Sequence, residues 1–429
     1  MSNVTLREKT VVMKSLGAGL VPRVGLHHLV VGRKRETEAV CRDLDSIKDG
    51  GGAFRLVVGP YSSGKTFFEQ ISKLTAIQNN LVVVHADLSV NHRLHGRDGK
   101  GRNLYAELMT NLSTKALPEG GGLRPFVESW ISTVHHGVTV QGGTADSVAQ
   151  EIAKLLRPLK DFVGGNEFAE VLAQYYRGYA NMDPSLQDAA IRWLKAEYST
   201  KTEAHEALGV RRIIGDEDLY PALRTFAAFT RIAGCKGSLV ILDELATLTH
   251  RLPNAKSRQG SFEVLLTMLN DAYQGNCQGL GFLVAGTPEC LTDPDRGLFS
   301  YPPLRARLQT YETHGLADYS GPVIKLEPLT AEALFVLLQN IRHVQAMGDE
   351  SQWLLPDEAL RVFLEKSHAN LPTKAVANPR DVVRPFVSLL SILGENPSHR
   401  WQDLIGELVT TAAKTSSEPE RELGRVRLK

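Results

Sequence analysis

Apolar residues fall into two kinds of pattern along the chain. Short, nearly unbroken runs at 54–58, 81–86, 238–242, 282–285 and 323–326 have the character of strands buried on both faces, as in a parallel sheet. Between and after them, apolar residues recur at three and four. Val40, Leu44 and Ile47 mark one such face, closed by Gly50-Gly51-Gly52, and Phe168, Leu172, Tyr175, Tyr176 and Tyr179 mark another. That period predicts helices at 65–78, 150–159, 167–179, 186–198, 217–233 and 262–273, then at 331–345, 357–366 and 379–393. Residues 1–24 are weakly patterned, with Gly17, Gly19 and Pro22 discouraging a long helix, and read as an arm or a packed extension.

Strand, helix and strand in succession predict a parallel α/β sheet. Beyond Thr330 no further strand is evident, so the organisation expected is an arm at 1–24, a sheet domain at 25–326 and a helical domain at 327–413. A polar tail occupies 414–429. The aromatic cluster around Tyr175 could stack bases, but at helical spacing it reads first as core.

Composition narrows this little. A 42% hydrophobic content is that of an ordinary folded protein, and the net charge of +1 argues against a surface built wholly to grip nucleic acid. Arg421, Arg425, Arg427 and Lys429 leave the tail with a basic end. Cys41, Cys235, Cys277 and Cys290 are scattered without metal-ligand spacing, which suits free thiols in a reducing cytoplasm. His27-His28 and His135-His136 are not at metal spacing either.

Chemistry concentrates at Gly59-Pro60-Tyr61-Ser62-Ser63-Gly64-Lys65-Thr66-Phe67. A G-x-x-x-x-G-K-T loop directly after an apolar strand and at the head of a helix is a cradle for phosphates. Lys65 is expected on the β/γ-phosphates and Thr66 on Mg²⁺. The apolar run 239–242 ends in Asp243 and Glu244. By itself such an ending is weakly specific. Paired with the loop, it predicts Asp243 holding Mg²⁺ and Glu244 polarising the attacking water. Positive charge for the transition state has candidates in Arg305 and Arg307, and Thr287 sits where a polar sensor of the γ-phosphate is expected.

These pieces in this order resemble ATPases of the AAA+ class, particularly the origin-recognition and signal-transducing branches. The resemblance implies a P-loop parallel-sheet (AAA+-like) ATPase core with ATP and Mg²⁺ as ligands. It places Val31-Gly32-Arg33-x-x-Glu36 beside the adenine, Thr287 at the first sensor, Arg305 and Arg307 at the finger, and Arg380 of Asn378-Pro379-Arg380 at the second sensor of a C-terminal all-helical lid. The 178-residue interval from Lys65 to Asp243 implies a helical insertion at about 95–215. A closer resemblance, carried by Ala86-Asp87-Leu88-Ser89, Arg93-Leu94-His95-Gly96, Leu242-Asp243-Glu244-Leu245 and 378–384, is to the BrxD family, ATP-binding proteins of BREX bacteriophage-exclusion systems. It implies a cytoplasmic homo-oligomer working with DNA and a helicase or other defence proteins. Three activities stay open: a hydrolysing motor or switch, a low-turnover regulatory switch, and a DNA-binding adaptor with structural nucleotide.

Overall fold

The computed structural model describes residues 4–252, 254–310, 318–369 and 379–417. Their contacts group into two units. One takes the described residues within Arg35–Val58 and Ser72–Lys325, the other those within Met1–Lys34, Gly59–Ile71 and Leu326–Lys429.

The first unit is built on a parallel sheet of five strands, β1 (Gly52–Val58), β2 (Leu81–Asp87), β3 (Gly237–Asp243), β4 (Leu280–Gly286) and β5 (Val323–Lys325), in the order β2-β3-β4-β1-β5. Every residue of β4 is buried, and β1 and β3 are buried over six of their seven residues. This is why the runs are apolar without alternation. The register sets Val58 level with Gly286 and with Lys325, and Asp87 level with Asp243. Asp87 and Asp243 therefore meet at the carboxyl edge, the edge where open α/β sheets bind ligands.

Between β2 and β3 the regular elements among the described residues are helices, apart from one bridge of Val83 with Ser113. These helices share one hydrophobic core with the sheet. Phe229, on the helix Leu219–Ile232, is its aromatic hub. Its ring centroid lies 5.1 Å from that of Trp130 and 5.7 Å from those of Phe126 and Phe168. Tyr175 and Tyr176 are buried in the same core, as their spacing predicts.

Three helices shift from their expected bounds, and caps set their starts; the helix expected at 262–273 runs Ala255–Tyr273, because the Asn254 side chain accepts the Lys256 N–H. The helix expected at 150–159 runs Ala145–Leu155, because Thr144 and Ser147 form a capping box and Pro158 follows its end. The helix expected at 186–198 runs Pro184–Leu194. The Asp183 side chain caps it, Pro184 opens it, and Ala196 beyond it has φ 56°.

The second unit has its own core of helices Ala331–Gln345, Asp357–Ala369, Pro379–Glu395 and Trp401–Ser417. Residues near the start of the chain join it. Thr5 and Glu8 form a capping box that starts the helix Leu6–Gly17, and Val12, Leu29 and Val31 enter the core. Arg342 is buried there as well. It donates to the Leu355 carbonyl at 2.8 Å and the Asp357 carboxylate at 2.6 Å, and lies 3.7 Å over the Trp353 ring. Its charge is paired and its two terminal nitrogens are directed at oxygens, while Nε is buried without a hydrogen-bond partner among the described residues. The guanidinium in turn holds the Asp357 carboxyl below its ordinary range.

Phe229→Ala removes the hub ring and is expected to destabilise the sheet unit by about 3–5 kcal/mol. Chemical denaturation followed by tryptophan fluorescence checks this. A midpoint equal to wild type would mean that the insertion and the sheet do not share a core.

Candidate functional site

The chain leaves β1 at Val58 and turns within six residues into the helix Lys65–Gln78. Gly59 makes the turn possible. A Cβ there would lie 2.3 Å from Ser63 Oγ and 3.0 Å from the Leu326 carbonyl, so no side chain fits. Ser62 and Gly64 are left-handed, at φ 60° and 92°. The Ser63 N–H donates to the Pro60 carbonyl at 3.1 Å, closing the loop. Lys65 Nζ folds over it, donating to the carbonyls of Gly59 at 2.9 Å and Pro60 at 3.0 Å.

This loop has more donors than internal acceptors. The hydroxyls of Ser62 and Ser63 are buried with no hydrogen-bond partner among the described residues. Thr66 is exposed on the first turn of a fourteen-residue helix, whose leading N–H groups carry partial positive charge. Phe67 is half-buried against the helical core. A polyphosphate fits such a set, since it brings acceptor oxygens and negative charge to hydroxyls, helix N–H groups and an ammonium.

Two arginines brace the loop from distant parts of the sequence. Arg33 follows Gly32, and both have positive φ, at 58° and 61° respectively. Its guanidinium donates to the Ser63 carbonyl at 3.0 Å and to the Glu327 carbonyl. Arg380 donates to the Tyr61 hydroxyl at 3.2 Å, with its guanidinium carbon 5.6 Å from the ring centroid. Both therefore meet the glycine-rich loop. The resemblance placed the Gly32-Arg33 stretch beside the base, whereas the contact seen for Arg33 is with loop backbone. Asn378 of the Asn-Pro-Arg stretch lies outside the described residues, as do Arg421, Arg425, Arg427 and Lys429.

In the sheet unit, Asp243 ends β3 half-buried, and its Oδ1 accepts the Glu244 N–H at 2.6 Å. Glu244 is exposed at φ 59°, left-handed and non-glycine. That conformation costs on the order of 1 kcal/mol and turns the carboxylate away from the strand. Leu245 then donates its N–H to the Ala285 carbonyl of β4 at 3.1 Å, which anchors the turn. Thr287 follows β4, its hydroxyl 3.4 Å from Cys290 Sγ. Arg305 and Arg307 are exposed on the helix Pro302–Leu308. Arg307 is engaged with Asn270 Oδ1 at 2.5 Å and the Pro303 carbonyl at 3.0 Å, and the Arg305 guanidinium makes no hydrogen bond among the described residues.

The four cysteines are free, but only Cys277 and Cys290 are buried; Cys41 and Cys235 are partly exposed. Sequence reading passed over one cluster. Glu8, His27 and His28 converge although nineteen residues separate Glu8 from His27. No local spacing signals it, because the carboxylate arrives on a separate helix. No helix among the described residues is long and apolar enough to cross a membrane.

A parallel α/β sheet carrying a glycine-rich, lysine-bearing turn after its first strand, together with a separate helical core, defines the class. The chain belongs to the BREX system ATP-binding protein BrxC/D family, whose model matches residues 4–409. That match begins before the helix Leu6–Gly17 and runs through the insertion to the last helix. No curated protein matches the chain.

Gly59→Ala is expected to weaken ATP binding about ten- to a hundredfold, since an added methyl in a packed site costs about 1–3 kcal/mol. Titration with a fluorescent ATP analogue measures it, alongside circular dichroism to verify folding. Wild-type affinity in a folded variant would remove this loop from the nucleotide site.

Proposed function

We propose that the chain is an ATP-hydrolysing switch or motor of the AAA+-like type, serving BREX defence against phage. The observation that carries hydrolysis, beyond binding, is the end of β3. Asp243 is oriented by the Glu244 N–H, and Glu244 is held in a left-handed conformation with its carboxylate exposed. Strain kept at a charged residue beside a metal-binding type of acid suits a catalytic position.

In this reading Gly59 to Phe67 wrap the phosphates, with Lys65 on the β/γ oxygens, and Gly32, Arg33 and Arg380 support that loop. Mg²⁺, held by Thr66 and Asp243, would neutralise charge on the phosphate oxygens. Glu244 takes the proton of a water whose oxygen bonds to the γ-phosphorus as the bond to the β–γ bridging oxygen breaks, giving ADP and phosphate. Thr287 senses the γ-phosphate. A neighbouring subunit supplies Arg305 or Arg307 to the developing charge. Arg305 is the readier of the two, because Arg307 must first release Asn270. Hydrolysis would then depend on homo-oligomer assembly in the cytoplasm, with DNA and a helicase or other defence proteins as partners.

Steady-state hydrolysis against protein concentration, with and without duplex or single-stranded DNA, tests the proposal. Specific activity is expected to rise with concentration and with DNA. Lys65→Ala should lose ATP binding. Glu244→Gln should bind ATP and lose about 10²–10⁴-fold in turnover, and Arg305→Ala or Arg307→Ala should lose turnover at unchanged affinity. Unchanged turnover in Glu244→Gln would overturn the catalytic assignment. Flat, near-zero turnover despite tight binding would leave a low-turnover nucleotide switch.

A further inference from the structure

Three potential ligand groups meet where the helix Leu6–Gly17 faces the short helical turn Leu26–Leu29. The Nε2 atoms of His27 and His28 lie 3.8 and 3.6 Å from Glu8 Oε1, and all three ligand atoms lie within 4.8 Å of one another. These separations exceed an N–H···O hydrogen bond. They approach the ~3.4 Å between two donors that share a tetrahedral ion at 2.0–2.1 Å. We propose that Glu8, His27 and His28 form a binding site for a divalent transition metal of the zinc type, independent of the nucleotide loop.

The surroundings are those of a built site. Glu8 Oε2 is occupied, accepting from the Thr5 N–H and hydroxyl at 2.8 Å each, which fixes the carboxylate and leaves Oε1 toward the histidines. Gly25 has φ 76°, and a Cβ there would lie 2.9 Å from Val12 Cγ2 and 3.2 Å from Glu8 Cβ. Only glycine lets the turn press this closely on Glu8. The His28 side chain is nearly buried and that of Glu8 largely so, while the His27 side chain is 60% exposed. The site is thus walled on one side and open on the other, where a water can complete three protein ligands.

Both ring nitrogens of His343, on the helix Ala331–Gln345, are buried without a hydrogen-bond partner among the described residues. An ion at this site would tie the first helix to the turn that runs on into Val31, Gly32 and the loop-bracing Arg33.

The test uses the full chain, stripped with EDTA, free of nucleotide and held in excess Mg²⁺. Zn²⁺ uptake is measured by competition with a chromogenic chelator, and the visible spectrum of the Co²⁺ form reports coordination. One Zn²⁺ per chain is expected, with binding weakened at least tenfold in Glu8→Gln and in His27→Ala and unchanged in Lys65→Ala. His27 is exposed, so its loss leaves the core intact even where a His28 variant fails to fold. No stoichiometric uptake would overturn the site. So would wild-type affinity in either ligand variant, and loss of uptake in Lys65→Ala would place the ion at the nucleotide loop instead.

Discussion

A backbone reversal with no room for a side chain governs the candidate nucleotide site. Between Val58 and Lys65 the chain doubles back so tightly that Ser63 Oγ occupies the space a Cβ on Gly59 would need. That close approach buries two serine hydroxyls without partners among the described residues and draws the Lys65 ammonium over its own loop carbonyls. Unsatisfied buried donors are costly in isolation, at about 1–3 kcal/mol each. A loop that retains them is arranged for an acceptor from outside the chain. The bracing by Arg33 and Arg380 follows from the same need, because a turn containing left-handed Ser62 and Gly64 holds its shape only when its neighbours over-determine it.

The parallel sheet supplies a different constraint. Strands buried on both faces can present polar groups only where they end, and in this register the carboxyl edge carries Asp87 beside Asp243. The helical insertion does not loosen that edge. Helices and strands belong to one hydrophobic core, in which Phe229 gathers aromatic rings of the helices, so the helices between β2 and β3 support the strands they interrupt.

Much of this was legible in the sequence where one physical cause dominates a short window. Unbroken apolar runs located all five strands, because burial on both faces leaves no other pattern. The glycine-rich loop stood out because glycine, lysine and threonine fall at fixed offsets directly after an apolar strand. Helix bounds slipped where a cap outside the apolar period set the start, as Thr144 and Asp183 do. The helix Leu6–Gly17 was hidden by nearby glycines and a proline, yet its Thr5–Glu8 capping box could have signalled it. Contacts between distant segments, such as Arg33 with Ser63 or Glu8 with the histidine pair, leave no local trace. They exist only after the helical core has formed.

Glu244 shows why local rules fail where chemistry is expected. A strand end followed by an ordinary turn would favour glycine or asparagine at φ 59°, and a glutamate there raises the free energy of the fold. The Asp243 carboxylate partly offsets this by accepting the Glu244 N–H, and the Leu245 N–H pins the next residue to β4. The conformation is therefore held from both sides, with the side chain left exposed. In the proposed hydrolytic reading, the exposed carboxylate directly after Asp243 is what this less favourable conformation provides.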